Sequence, residues 1–380
     1  MEEDEEERLT DETEGAATAI ELAILAVIAE RLASIDDTIT YVKSREWLAE
    51  DAAKIDKIIK RARELLKANS RDALYSIADA READAAVFYE AKGIVQSSWK
   101  ENQYLSHIVK ASEGAIGSTV DRLVKTSVIE LISSDGTYKP WAEVYKETCD
   151  MATRQILAGR YNKEAIADAV ERIGSGVVAV RYRSGATREL YSAISQSVMD
   201  SYREASGAIQ EQQAVEFGAD GVRISAHGLC APDHAPYQGR QYTFAEFNAI
   251  QNKLERPIGG WNCKHHSTKV IVGVGAKHSD EELKKIDKRS KRKVEFTGLD
   301  GVKREKTAYE FSQYQRQVET RIRRTKMTAD TLMRAGNEDA ARRLKARAKR
   351  LNSAYRQMSK QAGISTKPER TKVYNMIEAL

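Results

Sequence analysis

Cys230-x3-His234 and Cys263-x-His265 could supply four ligands to one metal ion. Thiolate and imidazole together suit zinc, which takes four tetrahedral nitrogen and sulfur ligands in structural sites. The two pairs sit in unusual surroundings. His227-Gly-Leu-Cys230-Ala-Pro-Asp233-His234-Ala-Pro-Tyr237-Gln238-Gly239-Arg240 and Gly259-Gly260-Trp261-Asn262-Cys263-Lys264-His265-His266 hold four of the chain's six histidines and two of its three cysteines. Three of its five prolines fall between His227 and His266, so this stretch is built of turns. Pro232 between Cys230 and His234 lets that loop fold back on itself. Cys263 and His265 are two apart, so in extended chain they point to one side and His266 points away. A zinc ion held by Cys230, His234, Cys263 and His265 would tie two loops together in a module too small for much core.

Catalytic chemistry needs more than these residues offer. Asp233 and His234 beside Cys230 could be cast as base and nucleophile, since a Cys–His pair is the minimum for thiol catalysis. No third orienting group or oxyanion donor stands out. The alternative is a metal-dependent nuclease or DNA-processing enzyme using Asn262, His265 and His266 next to a basic region. The strand-then-helix order expected after such histidines is absent, because a Val-rich segment follows. The residues by themselves favour a structural clip over an active site.

The elements around the cluster read mostly as helices. Ile55, Ile58, Ile59, Ala62, Leu65 and Leu66 recur at three- and four-residue steps, which marks one apolar helical face. Similar spacing runs through Trp141, Val144, Tyr145, Thr148 and Ala152, and through Leu190, Ile194, Val198 and Tyr202. Pro140 and Asn162 suit helix starts, and Gly174 a stop. No clean internal repeat is visible. The texture changes after Gly218. Val222–Ala226 alternates like a short strand, Thr243-Phe-Ala-Glu246 is a capping box for a helix to about Leu254, and Lys269–Val274 reads as a second strand. Ser279–Glu282 caps another helix. Val294–Phe296 and Val302–Arg304 flank a hairpin turn, and two long basic helices run from Ala308 to Gly363, broken near Gly336-Asn337. The expected fold class is α+β, predominantly α-helical, with long helices around a small Cys/His-containing α+β module. The expected divisions are a disordered acidic tail (1–15), a helical assembly region (16–218), the Cys/His module (219–275), a hairpin with basic helices (276–363) and an extended tail (364–380).

Charge adds a second theme. The net charge of +4 is small, but residues 1–15 carry nine acidic residues against Arg8. From Lys303 to Lys360 there are seventeen Lys/Arg and six Asp/Glu. Arg321, Arg323, Arg324 and Lys326, then Arg342, Arg343, Lys345, Arg347, Lys349 and Arg350, lie on the two helices. They could contact DNA phosphates or an acidic protein partner, with salt-dependent and sequence-blind binding. No aromatic residues interleave them, so base stacking is not indicated. Three scattered cysteines are no disulfide framework and suit a reducing compartment. The apolar run Leu22–Ala29 is far short of the ~20 residues a membrane span needs.

The residues flanking the ligands carry a resemblance. His227-x-x-Cys230-Ala-Pro-Asp-His234-x-Pro-Tyr237-Gln238-Gly239-Arg240-x-Tyr242, followed by Arg256-Pro-Ile-Gly-Gly-Trp261-Asn262-Cys263-Lys264-His265, resembles the signature of tailed-phage minor capsid proteins. In particular it resembles the phage minor capsid protein 2 group, itself similar to the Mu F-like head morphogenesis domain. Gly218–Ser225 and the stretch Glu310-x4-Gln315-Arg316-x3-Glu319-Thr-x-Ile322-Arg323 extend the likeness over about residues 187–365. The chain departs from the pattern at Lys264, where Arg is expected, and at Ser267-Thr268-Lys269, where a proline is expected. The resemblance implies a virion protein present in few copies, made in the host cytoplasm and placed inside the capsid near the portal. Its implied partners are portal protein, capsid or scaffold subunits, and packaged double-stranded DNA. The resemblance implies no catalytic residues and leaves zinc open.

Overall fold

The computed structural model describes residues 2–35, 44–133, 135–174, 178–182, 184–260 and 263–373. The chain is predominantly helical with small antiparallel sheets. Four helices form its base: α1 (Glu2–Ala33), α2 (Ser44–Lys92), α3 (Gln103–Leu123) and α6 (Leu190–Phe217). The apolar run of α1 is the reason for its central place. Leu22, Ala23, Ile24, Leu25, Ala26, Val27, Ile28 and Ala29 are all buried, so the helix is covered on every side. No helix among the described residues is long and apolar enough to cross a membrane. Residues 2–15 are the opening turns of α1 and not a disordered tail. Glutamate is a good helix former, and acidic residues near a helix N-terminus are favoured by its dipole.

Two β-hairpins stand in the N-terminal half where only helices were expected. β1 (Ile129–Ile132) and β2 (Tyr138–Pro140) lead into α4 (Trp141–Leu157), which is followed by α5 (Asn162–Gly174). β3 (Ala179–Arg181) and β4 (Thr187–Glu189) lead into α6. They join as one sheet in the order β2-β1-β3-β4. The two hairpin–helix units are copies of one design. Gly185 matches Gly136, each with positive φ in the turn, and Leu190 matches Trp141 at the helix start. The Ser133 N–H to Thr137 carbonyl bond has its counterpart from Tyr182 to Ala186. The central β1–β3 pairing is antiparallel and pairs Glu130 with Ala179, which are equivalent positions of the two copies. The sheet therefore has a local two-fold relation. The repeat escapes the sequence because almost no side chains are shared.

Glu21 shows how tightly α1 is held. It is buried, accepts a bond from the Tyr191 N–H at 3.2 Å, and has its pKa pushed up to about 7, chiefly by burial. A carboxyl with a raised folded pKa costs nothing below its unfolded value near 4.5 and progressively more as pH rises through 7. The full cost is about 3 kcal/mol. Glu21→Gln is therefore expected to match the wild type in urea melts at pH 4. At pH 8 it should be more stable by about that amount, and equal stability at both pH values would exclude this burial cost.

The Cys/His module follows α6. β5 (Gly221–Ile224) is the middle strand of a sheet ordered β6-β5-β7, with β6 (Gln241–Thr243) and β7 (Ser267–Val270) antiparallel on either side. The capping box of Thr243 and Glu246 starts α7 (Phe244–Lys253). The second strand ends at Val270, earlier than its Val-rich sequence suggests. The Asp220 carboxylate and Gln241 side chain take the Val272 and Gly273 N–H groups, and Gly273 and Gly275 adopt positive φ. Ser279 and Glu282 cap α8 (Asp280–Lys291), which leads to the hairpin of β8 (Lys293–Thr297) and β9 (Lys303–Thr307). α9 (Ala308–Arg334), opened by a Thr307–Glu310 capping box, turns at Gly336 and pairs along its length with α10 (Glu338–Ala362). The segment after α10 is not simply extended. It returns onto α9 through a 3-10 turn at Pro368–Thr371, where the Lys326 ammonium bonds the Thr371 carbonyl.

Candidate metal centre

Sheet pairing is what brings the two halves of the cluster together. β5 runs directly into the His227–His234 loop, and β7 is preceded directly by Cys263–His266. Because Ile224 pairs with Ser267, both loops leave the sheet at the same end. The Ser225 N–H then bonds the His266 carbonyl at 2.9 Å, and the His266 N–H bonds the Ser225 hydroxyl at 3.1 Å. Ser267-Thr268-Lys269 thus supply ladder residues, where a proline would remove a donor. In the first loop, the His234 and Ala235 N–H groups both reach the Ala231 carbonyl, forming the turn expected around Pro232. Leu229 adopts φ +59° just before Cys230, the one non-glycine residue with positive φ among the described residues. In the second, the Cys263 N–H bonds the Gly260 carbonyl. Arg203 of α6 anchors the loop by donating to the Cys263 carbonyl at 2.6 Å.

Cys230, His234, Cys263 and His265 are all buried to within 3%. They converge with one change of grouping. Cys263 Sγ lies 3.3 Å from His234 Nδ1 and 3.4 Å from His265 Nδ1. Cys230 Sγ lies on the other edge of the same ring, 3.5 Å from His265 Nε2. The ligand atoms of His234, Cys263 and His265 are all within 4.8 Å of one another, and so are those of His227, Cys230 and His265. The site is thus two triads that share His265, and His227 joins it. A signal for His227 existed in the sequence, three residues before Cys230, but its single turn of separation gave no reason to rank it with the others. His266, half-exposed, points away as its odd register requires.

The donor chemistry fits a metal. Tetrahedral zinc with sulfur and nitrogen ligands has S···N edges of about 3.5 Å, which is the spacing found. A metal-binding imidazole usually gives its second nitrogen to a carbonyl or carboxylate. His234 Nε2 meets the Arg256 carbonyl at 2.8 Å with Asp233 beside it, which leaves Nδ1 facing Cys263. His227 Nδ1 meets the Gly228 carbonyl at 3.0 Å, which leaves Nε2 buried without a hydrogen-bond partner. Gln238, also buried, steadies the pair, taking the His227 N–H at 3.1 Å and lying 3.3 Å from His265 Nε2.

Electrostatics point the same way. Burial, and then the neighbouring His227, push the His265 pKa down to about 2, and burial pushes His227 down to about 4. Both rings are therefore neutral with a lone pair available. Burial and the neighbouring Cys263 push the Cys230 thiol up to about 12. A thiol with that pKa is a poor nucleophile, and a divalent cation is the group that would reverse the shift. Trp261 and Asn262 lie outside the described residues.

The basic residues of the last two helices divide sharply. In α9, Arg323 is buried with its guanidinium 3.7 Å from the Tyr191 ring centroid. Arg324 pairs with Glu189, and Lys326 is tied to Thr371. Arg323 and Arg324 hold α9 to Tyr191 and Glu189, Lys326 ties it to the returning C-terminal segment, and Arg321 alone of that group is exposed. In α10, Arg342, Arg343, Lys345, Arg347, Lys349 and Arg350 are all exposed. Arg342 is shared with Glu338 and Asp339 at the helix start.

Fold and site together define a helical scaffold carrying a compact Cys/His clip and a basic outer helix. The chain belongs to the family described as phage minor capsid protein 2, whose match spans residues 16–359. It is a phage minor capsid protein, a structural component of the virion. The match takes in the N-terminal helices, well beyond the region where the sequence resemblance was specific. Neither the curated proteins nor the solved structures yielded a match.

Proposed function

We propose that this chain is a non-enzymatic head protein acting in assembly at the portal vertex, inside the capsid. The family match across nearly the whole chain carries this reading. The helical N-terminal half would dock on portal, capsid or scaffold subunits, and the exposed cations of α10 would touch packaged double-stranded DNA without reading its sequence. One structural zinc ion would lock the module, held by His234, Cys263 and His265, and Cys230, on the other edge of the His265 ring, would become the fourth ligand once that imidazole turns. Two thiolates neutralise the dication, and His227 stands next to them. When bound, zinc would supply cross-linking of the two loops. The high Cys230 pKa and the histidine nitrogens turned onto backbone carbonyls argue against a nucleophile or general base.

Quantitative mass spectrometry of purified phage particles tests the role. A few copies per particle, retained after external protease treatment, is the expected result. Absence from mature particles, or DNA cleavage that His265→Ala abolishes without unfolding the chain, would sink it in favour of a DNA-processing enzyme.

A further inference from the structure

A second feature lies beside the metal centre. An open cleft of about 1050 Å³ runs between α6, the Cys/His loops, α8, α9 and residues 364–370. Its lining has ten Arg and Lys side chains against two carboxylates, Asp200 and Glu319. Asp200 and Glu319 each pair with a lining cation, Arg203 and Arg370, and Asp84 pairs with Arg223 and Lys277, yet the ten cations still outnumber these three carboxylates. Asp200 faces Arg203 at 3.4 Å, and Glu319 is buried and takes the Tyr355 hydroxyl. The cations converge from separate segments, including Arg203 of α6, Arg223 of β5, Lys264 of the ligand loop, Arg289 of α8 and Arg316 of α9. Like charges gathered this way repel one another, so such a cleft suits an anionic occupant.

The other lining residues narrow the class. Ser192, Ser195, Ser312, Ser365 and Thr268 add hydroxyls, the donors that commonly meet phosphate oxygens. Tyr191 is the one lining residue with a phenol or indole ring, and the Arg323 and Arg316 guanidinium groups stand 3.7 and 6.0 Å from its centroid. Apart from the imidazoles of His227, His266 and His278, no aromatic ring is therefore presented for base stacking or as an anchor for a peptide. We infer that this cleft binds the phosphodiester backbone of a nucleic acid strand without reading its bases. The inference deepens the DNA-contact part of the proposed role and rests on it, but it moves the main contact from α10 to the cleft.

Fluorescence anisotropy with labelled single- and double-stranded oligonucleotides of random sequence tests this on the full chain. Lys264→Gln/Arg289→Gln changes two exposed cleft cations, and Arg347→Gln/Lys349→Gln/Arg350→Gln changes α10 instead. The cleft pair is expected to weaken binding by about tenfold or more and to lower the salt slope by about 1.4 for single strands. The α10 triple is expected to change affinity less than threefold. Arg289→Gln alone, on an exposed helix face, guards against misfolding of the ligand loop and should show half the change in slope. Wild-type affinity in the cleft pair, with loss in the α10 triple, would overturn the cleft and leave DNA contact standing. Failure of the wild type to bind either oligonucleotide would overturn both. Displacement of the oligonucleotide by polyglutamate at lower charge concentration would assign the cleft to an acidic protein and overturn the inference.

Discussion

Cys263→Ser is expected to abolish tight metal binding and to loosen the whole Cys/His module. Cys263 is the sulfur that touches two histidines, at 3.3 and 3.4 Å, and the serine hydroxyl does not ionise at neutral pH to replace it. Zinc affinity, measured by competition with a chromogenic chelator, should fall by at least about 100-fold, more than outer residues of a metal site typically cost. Part of the metal's binding free energy is folding free energy, so the module should also melt earlier. Cys149→Ser provides the contrast. Cys149 is buried in α4, in the main core of the N-terminal half, and its loss should leave metal affinity unchanged. Equal affinity in the wild type and Cys263→Ser would remove Cys263 from the ligand set.

Gly221→Ala is expected to have the largest effect on the module's stability. A methyl group there would lie 2.3 Å from the Tyr242 carbonyl oxygen and 2.4 Å from Val272 Cγ2. The first of these is backbone of the partner strand and has little freedom to move. Gly221 opens β5 and pairs with both Thr243 and Val270, so any shift spreads to both edges of the sheet. Overpacking of this kind costs about 3 kcal/mol or more. Since β5–β7 pairing places the two ligand loops side by side, metal affinity should fall with it. Gly228→Ala, with nothing within 4 Å, should stay within about 0.5 kcal/mol. Denaturant midpoints of the two variants make the comparison. Similar midpoints would mean that β5 and β6 are not packed as described.

Much of this fold was legible because local signals were strong. The capping boxes at Thr243 and Ser279, the break at Gly336-Asn337 and the starts at Trp141 and Asn162 each have a short-range physical cause, and each stands where its residues put it. The hairpins β1–β2 and β3–β4 were not legible. Their strands are three or four residues long, and the pairing that stabilises them joins segments far apart in sequence. At the candidate metal centre, residue type and two-residue spacing pointed to four side chains that the structure buries close together. The sharing of His265 between two triads, and the arrival of His227, depend on loop curvature that spacing does not encode. The basic helices illustrate a further limit. Arg323, Arg324 and Lys326 look like Arg347, Lys349 and Arg350 in sequence, and only the packing of α9 against α1 and α5, with the partners Tyr191, Glu189 and Thr371, separates structural cations from exposed ones.

The central claim is a phage-head scaffold whose Cys/His module is closed by a metal ion. Native mass spectrometry of the full chain, purified without chelators or added metal, tests it most directly. The account predicts one zinc ion per chain, with a mass increment reduced by two protons for the Cys230 and Cys263 thiolates, and its loss in Cys230→Ser/Cys263→Ser. A metal-free chain that does not take up zinc, or a zinc ion kept by that double variant, would contradict it.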